Sequence, residues 1–170
     1  MRLKGPVPDA ESPWNEIVPG LFMGGHHCRG SGGEPVPVVV GREFDVVVSL
    51  HRRDGCGPGD GVAHHCREVP DGPLSAGQIT AVRELAEIVA DDVREGRRVL
   101  VRCRSGYNRS GLVIVQALVE LGYPVEDAIF LVRYRRSRWA LNNQLFVDYL
   151  TTGLGVAELL VGLDEVSDDA

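Results

Sequence analysis

The stretch Val99-Leu100-Val101-Arg102-Cys103-Arg104-Ser105-Gly106-Tyr107-Asn108-Arg109-Ser110-Gly111 decides how the chain is read. An apolar β-type run leads into a cysteine, five residues separate it from Arg109, and Ser110 opens a further run, Leu112 to Leu121. That run is apolar nearly all round, which predicts a buried helix ended by Gly122. A loop of this length between strand and helix can curl so that its backbone N–H groups point inward and form a concave anion site. Gly106 permits the tight backbone, the helix starting near Ser110 adds the positive end of its dipole, and Arg109 offers paired donors matched to two phosphate oxygens. Cys103 lies at the floor, where all three favour the nucleophilic thiolate. The competing reading is a buried structural cysteine in a strand-to-helix turn. The preceding strand, Gly106, Ser110 and the apolar helix together argue against it.

Outward from this segment the pattern alternates between strand and helix, with no internal repeat. Pro19-Gly20 between Ile17-Val18 and Leu21-Phe22-Met23 predicts a small hairpin. Gly24 to Pro37 and Arg52 to Gly61, both rich in glycine, read as loops. Val46 to Leu50 is suited to a buried central strand, and Val62 to Val69 to a further one. The period then lengthens to about 3.6. Ile79, Val82, Leu85, Ala86, Val89 and Val93 form one helix face, Ser75 with Gln78 forms a capping box, and Gly96 is the stop. Val125 to Arg136 and Asn142 to Leu150 are two more helices. The tail is expected to carry a weak helix, Ala157 to Leu163, and then fray. The expected fold is one α/β domain: a small central mixed sheet flanked by helices, with a phosphate-binding loop between a strand and a buried helix. Residues 1–13 are an extended arm, 14–151 the catalytic domain and 152–170 an acidic tail.

Composition narrows the classes of function. The chain has 170 residues, 44% hydrophobic and 25% charged, as in a soluble globular protein. Its net charge of −6 argues against bulk attraction to nucleic acid or anionic lipid. No run approaches the roughly 18 apolar residues of a membrane span, no secretory signal is visible, and four cysteines make no dense disulfide framework. A reducing cytoplasm is the default. The charge is uneven: Arg97 to Arg138 holds nine arginines against Glu120, Glu126 and Asp127, so an acidic protein carries one basic segment. Arg133, Arg135, Arg136 and Arg138 read as a solvated helix face; Arg102, Arg104 and Arg109 do not.

The motif resembles that of the cysteine-dependent protein phosphatases, dual-specificity group: Cys, five residues, Arg, then Ser or Thr, between a strand and a helix. Ile17 to Gly24 is similar to the opening strand pair of that family, Phe44 to Leu50 to its central strand, and Ala140 to Leu150 to its closing helix. The resemblance implies hydrolysis of phosphomonoesters in two steps, with no metal and no cofactor. Cys103 is the nucleophile. Arg109, with Arg104, Ser105, Gly106, Tyr107 and Asn108, holds the phosphate. Ser110 assists departure of the thiolate. The acid is expected in an upstream loop, and Asp71 in Val69-Pro70-Asp71-Gly72-Pro73 lies 32 residues before Cys103, close to the family's usual separation. Asp54 and Asp60 are the alternatives. The substrate implied is a phosphoprotein, phosphotyrosine favoured, or a small phosphate ester. Arg104 raises inositol or lipid phosphates as a rival, and a catalytically weak phosphate-binding module is another. The family usually has His before the nucleophile; here Arg102 stands there, and it is expected to face solvent.

His26-His27-Cys28 and His64-His65-Cys66 are matching triplets. They could meet as a two-His, two-Cys zinc site, or Cys28 or Cys66 could pair with Cys103 under oxidation; solvated imidazoles and buried thiols are the plainer reading. Trp14 and Trp139 read as packing anchors.

Overall fold

The computed structural model describes residues 6–169. The predicted hairpin is present: β1 (Trp14–Val18) pairs antiparallel with β2 (Leu21–Gly25), and Gly20 in the turn takes φ +85°. Gly24 to Pro37 is not the plain loop expected from its composition. Here β3 (His27–Arg29) and β4 (Pro35–Pro37) form a two-stranded antiparallel ribbon. Strands of three residues are too short to show a period, and both strands of such a ribbon are edges, where proline is tolerated.

The main sheet is completed by β5 (Val46–Ser49), β6 (Ala63–Cys66) and β7 (Val99–Cys103). Its order is β1-β2-β7-β5-β6, parallel from β2 to β6 and antiparallel only at β1, so it is the mixed sheet expected. The middle strand is β7, which carries the cysteine, and β5 beside it is an interior strand buried along its length, as expected.

Five helices follow the expected pattern. α1 (Ala76–Arg94) begins with the predicted capping box: Gln78 N–H donates to Ser75 Oγ, and Ser75 N–H to the Gln78 side chain. α2 (Arg109–Glu120) is buried along most of its length, as its all-round apolar sequence requires. α3 (Val125–Arg135) and α4 (Gln144–Thr152) complete the layer. The tail does not fray as expected. α5 (Leu154–Asp168) is continuous and docks on α1, where Glu158 bonds to Thr80 and Arg83, and Ala76 N–H donates to Glu165. The acids of the tail thus meet the N-terminal half of α1, whose dipole favours them. Among the described residues no single helix is long and apolar enough to cross a membrane.

Strand alternation divides β7 between two environments. Val99, Val101 and Cys103 point into the large core shared with α1 and α2. Leu100 belongs to a smaller cluster on the other face, with Phe22, Val40, Phe44 and Val47. Trp14 packs edge-on against Phe44 there, with ring centroids 5.1 Å apart.

Candidate active site

The loop after β7 is pressed against the end of β2. Gly106 has φ +75°, and a Cβ there would lie 2.7 Å from the Gly24 backbone, so only glycine fits. Two bonds from His26 hold the loop's first turn: its backbone N–H donates to the Arg104 carbonyl, and its Nδ1 lies 2.9 Å from the Cys103 carbonyl. A carbonyl only accepts, so Nδ1 carries the proton. Burial pushes the His26 pKa down to about 4, and the charges of Arg102, His51 and Arg53 act the same way against the opposing carbonyl bond. The ring is therefore neutral at pH 7. Arg136 clamps the loop from behind, donating to the Gly106 carbonyl, to the Ser12 carbonyl and to Asn15. The Tyr107 hydroxyl donates to the Pro8 carbonyl, tying the N-terminal arm to the loop.

Inside the cradle, Cys103 is 2% exposed and its Sγ is 3.3 Å from Ser110 Oγ. α2 starts at Arg109, so its N-terminal amides and dipole face the same space. Arg109 Nη1 donates to the Val69 carbonyl at 3.1 Å, while its Nε is buried without a partner. One donor thus joins the cradle to the segment that leads from β6 into the Asp71 loop, and another has no partner. Asp71 is held by two amides, from Asn108 Nδ2 at 3.0 Å and Asn143 Nδ2 at 2.8 Å. Asn108 in turn accepts from the Asn143 backbone N–H. The result is a cleft of about 160 Å³ whose walls include Asp71, Cys103, Ser105, Tyr107, Asn108 and Arg109.

Of the residues expected at the site, these six line the cleft and Ser110 adjoins the sulfur. Gly106 shapes the loop from behind. The Arg104 side chain is exposed and does not line the cleft; its carbonyl is what the loop uses. Asp54 lies in a different concavity from Cys103, and Asp60 lines neither.

Arg102 corrects the expectation of a solvent-facing side chain. It is 1% exposed and lies on the sheet face opposite Cys103. It donates to Ser49 Oγ at 3.0 Å, to the Cys56 carbonyl at 2.9 Å and to the Gly57 carbonyl at 2.8 Å. The period-two rule applied to β7 would have placed it there. Arg136 and Arg133 are a second correction to the solvated-face reading, since Arg133 bonds the Ala140 and Leu141 carbonyls.

The paired triplets are used separately. His26 holds the Cys103 carbonyl, Cys28 lies in β3, and His64 Nε2 meets Ser49 Oγ at 2.8 Å. Among the described residues no three His, Cys, Asp or Glu side chains are placed to hold a metal ion, and all four cysteines are free.

Sequence reasoning missed His26, Asn143 and Arg136. Only Asn143 left a signal: Asn ahead of an apolar helix is a capping residue, and its side chain caps α4 through the Leu145 N–H.

Neither a scan against known protein families nor a search of curated proteins finds a match. Solved structures do match. Human DUSP28 aligns with TM-score 0.68 at 22% identity, covering 86% of this chain and 95% of that one. A mutant form of Tk-PTP aligns with TM-score 0.62 at 26% identity, covering 86% and 97%. A human tyrosine phosphatase-like serine/threonine/tyrosine-interacting protein aligns with TM-score 0.59 at 22% identity, covering 82% and 93%. The chain has the fold of the dual-specificity group of cysteine-dependent phosphatases.

Proposed function

We propose that this chain hydrolyses phosphomonoesters through a phosphocysteine at Cys103. The observation that carries the reading is the cleft itself. A buried sulfur shares it with Arg109, whose Nε is buried without a partner, and with the N-terminus of α2, and Asp71 stands in its wall.

In the first step Cys103 Sγ attacks phosphorus in line. The S–P bond forms as the P–O bond to the leaving group breaks, and Asp71 gives that oxygen its proton. The loop amides and Arg109 stabilise the charge on the equatorial oxygens. In the second step Asp71 takes a proton from water, the water oxygen bonds phosphorus, and the S–P bond breaks. Ser110 Oγ, 3.3 Å from the sulfur, donates to the departing thiolate. None of these steps calls for a metal or cofactor. A sulfur set this deep is best reached by an aryl ester, which favours phosphotyrosine over phosphoserine in a protein substrate. Arg104, exposed next to the cradle, supports a second reading: an inositol or lipid phosphate with further negative charge.

The test is a trap. Asp71→Ala protein mixed with an aryl phosphate and quenched in acid should carry a phosphoryl group on the peptide containing Cys103. Phosphate release that persists in Cys103→Ser protein would overturn the mechanism. Stoichiometric binding of a phosphopeptide by wild-type protein with no release would instead identify a binding module.

A further inference from the structure

On the side of the sheet away from the helices, the carboxyl ends of β5 and β6 open onto a concavity of about 280 Å³ that the proposed reaction does not use. Such crevices beyond the strand ends are where open parallel sheets hold ligands. Arg52, Arg53 and Arg102 reach its wall together with His51 and His64, and Asp54 is the one carboxylate among the lining residues. Among the described residues none of these three arginines makes an ion pair.

Arg102 anchors the site. Its charge is taken out of water with only neutral oxygens in return: Ser49 and two carbonyls. A guanidinium has five N–H groups, so two donors remain beyond those three bonds. His51 and His64 titrate below the ordinary imidazole range, first because of burial and then because arginines stand nearby. They therefore offer neutral rings, donor on one nitrogen and acceptor on the other, beside three arginines that share a single lining carboxylate, Asp54. Planar guanidinium donors next to imidazoles match an oxyanion with several acceptor oxygens.

We infer that this concavity is a second anion site, built for a phosphate-type dianion. It adjoins the catalytic cradle. His26 lines the concavity while holding the Cys103 carbonyl, and His51 lies within electrostatic reach of Arg109 and Arg104. Two sources could supply the anion: a second phosphate on the substrate, or free phosphate. The substrate form rests on the phosphatase reading; the site itself does not.

The experiment has two arms. In the first, Cys103→Ser protein, which cannot turn over, is titrated with inorganic phosphate while the His64 and His51 ring resonances are followed by NMR. Saturable shifts at both rings are expected, and they should vanish in protein that also carries Arg52→Glu and Arg53→Glu. Both positions are exposed, and an unchanged melting temperature verifies the fold. Rings that do not move in saturating phosphate, or that move equally in the charge-reversed protein, overturn the inference. The second arm uses wild-type protein and compares kcat/KM for a monophosphate ester with that for a bisphosphate of the same scaffold. One charge-assisted bond at the second site should favour the bisphosphate by about tenfold, an advantage lost in the charge-reversed protein. A ratio near one, with the ring shifts intact, assigns the site to free phosphate. Because the first arm needs no turnover, an inactive enzyme would defeat the proposed function and leave this result standing.

Discussion

Arg102 and Cys103 are neighbours on β7 and are treated in opposite ways. Both are almost fully buried, at 1% and 2% exposure. Arg102 is held at three nitrogens by Ser49, Cys56 and Gly57. Cys103 Sγ has one partner, Ser110, and otherwise faces an open cleft. One side chain is fixed by three bonds to neutral oxygens, and the other is left with a single hydrogen-bond partner at the floor of the cleft. The separation costs the protein no extra chain, because successive strand residues point to opposite faces. Arg102 therefore does not sit beside the sulfur as an activating charge. The positive field at the sulfur comes from Arg109, the start of α2 and Arg136 behind the loop.

The sharpest break in this comparison is Cys103→Ser. Turnover of an aryl phosphate should fall to background, while thermal stability stays near wild type because the hydroxyl fills the same small space. Turnover within tenfold of wild type, with contamination excluded, would show that the sparsely bonded residue is not the nucleophile. Next is Asp71→Asn, which should slow turnover by roughly 10²–10⁴-fold, the usual weight of a general acid. The loss should shrink for leaving groups that need no proton. An equal loss for all leaving groups would mean that Asp71 only braces Asn108 and Asn143.

Arg102→Leu should do the reverse of Cys103→Ser. It leaves the Gly57 carbonyl without its donor, takes one of two donors from the Cys56 carbonyl, which still accepts from the Val40 N–H, and removes the donor to Ser49, at about 1–3 kcal/mol for each unsatisfied group, partly offset because a buried charge is also removed. A net loss of about 2–4 kcal/mol in urea unfolding is expected, with kcat per folded molecule within about threefold of wild type. Full stability with lost activity would place Arg102 in the chemistry after all.

The same two residues show where the sequence was legible. Local signals sufficed for α1, whose capping box is complete, and for the Pro19-Gly20 hairpin. The loop motif told of Cys103 and Arg109 because spacing along one short segment is also spacing in space. Asp71 came from family likeness rather than from the residues alone. What escaped was non-local. His26 reaches a carbonyl 77 positions away and Arg136 spans 30 residues to Gly106, and no periodicity encodes such pairs. The β3–β4 ribbon escaped because three-residue strands with two prolines carry no pattern. The docking of α5 combines Leu154 and Ala157 in the core with Glu158 and Glu165 meeting α1, and the acidic composition of the tail disguised those contacts as solvated charge.

A smaller effect on turnover than at Cys103 or Asp71 should come from His26, which joins the two regions. Its Nδ1–H fixes the Cys103 carbonyl, and so the direction in which the loop leaves β7. His26→Ala should lower kcat by about tenfold, the weight of one buried hydrogen bond, with less change in KM because the phosphate-contacting groups remain. His26→Asn, whose Nδ2 donates from nearly the same place, should restore most of the rate. A purely space-filling role predicts both variants equally active. The ring also makes the fold acid-sensitive. Its folded pKa of about 4 lies below the ordinary 6.5, so the unfolded chain takes up the proton first. Stability is complete above pH 6.5 and falls as the pH drops toward 4, by on the order of 3 kcal/mol from this ring. Urea unfolding of wild type and His26→Asn at pH 7 and pH 4.5 measures it. The gap between the two pH values should narrow in the Asn protein. An unchanged gap would move the acid sensitivity to His51 and His64, whose pKa values are lowered in the same direction.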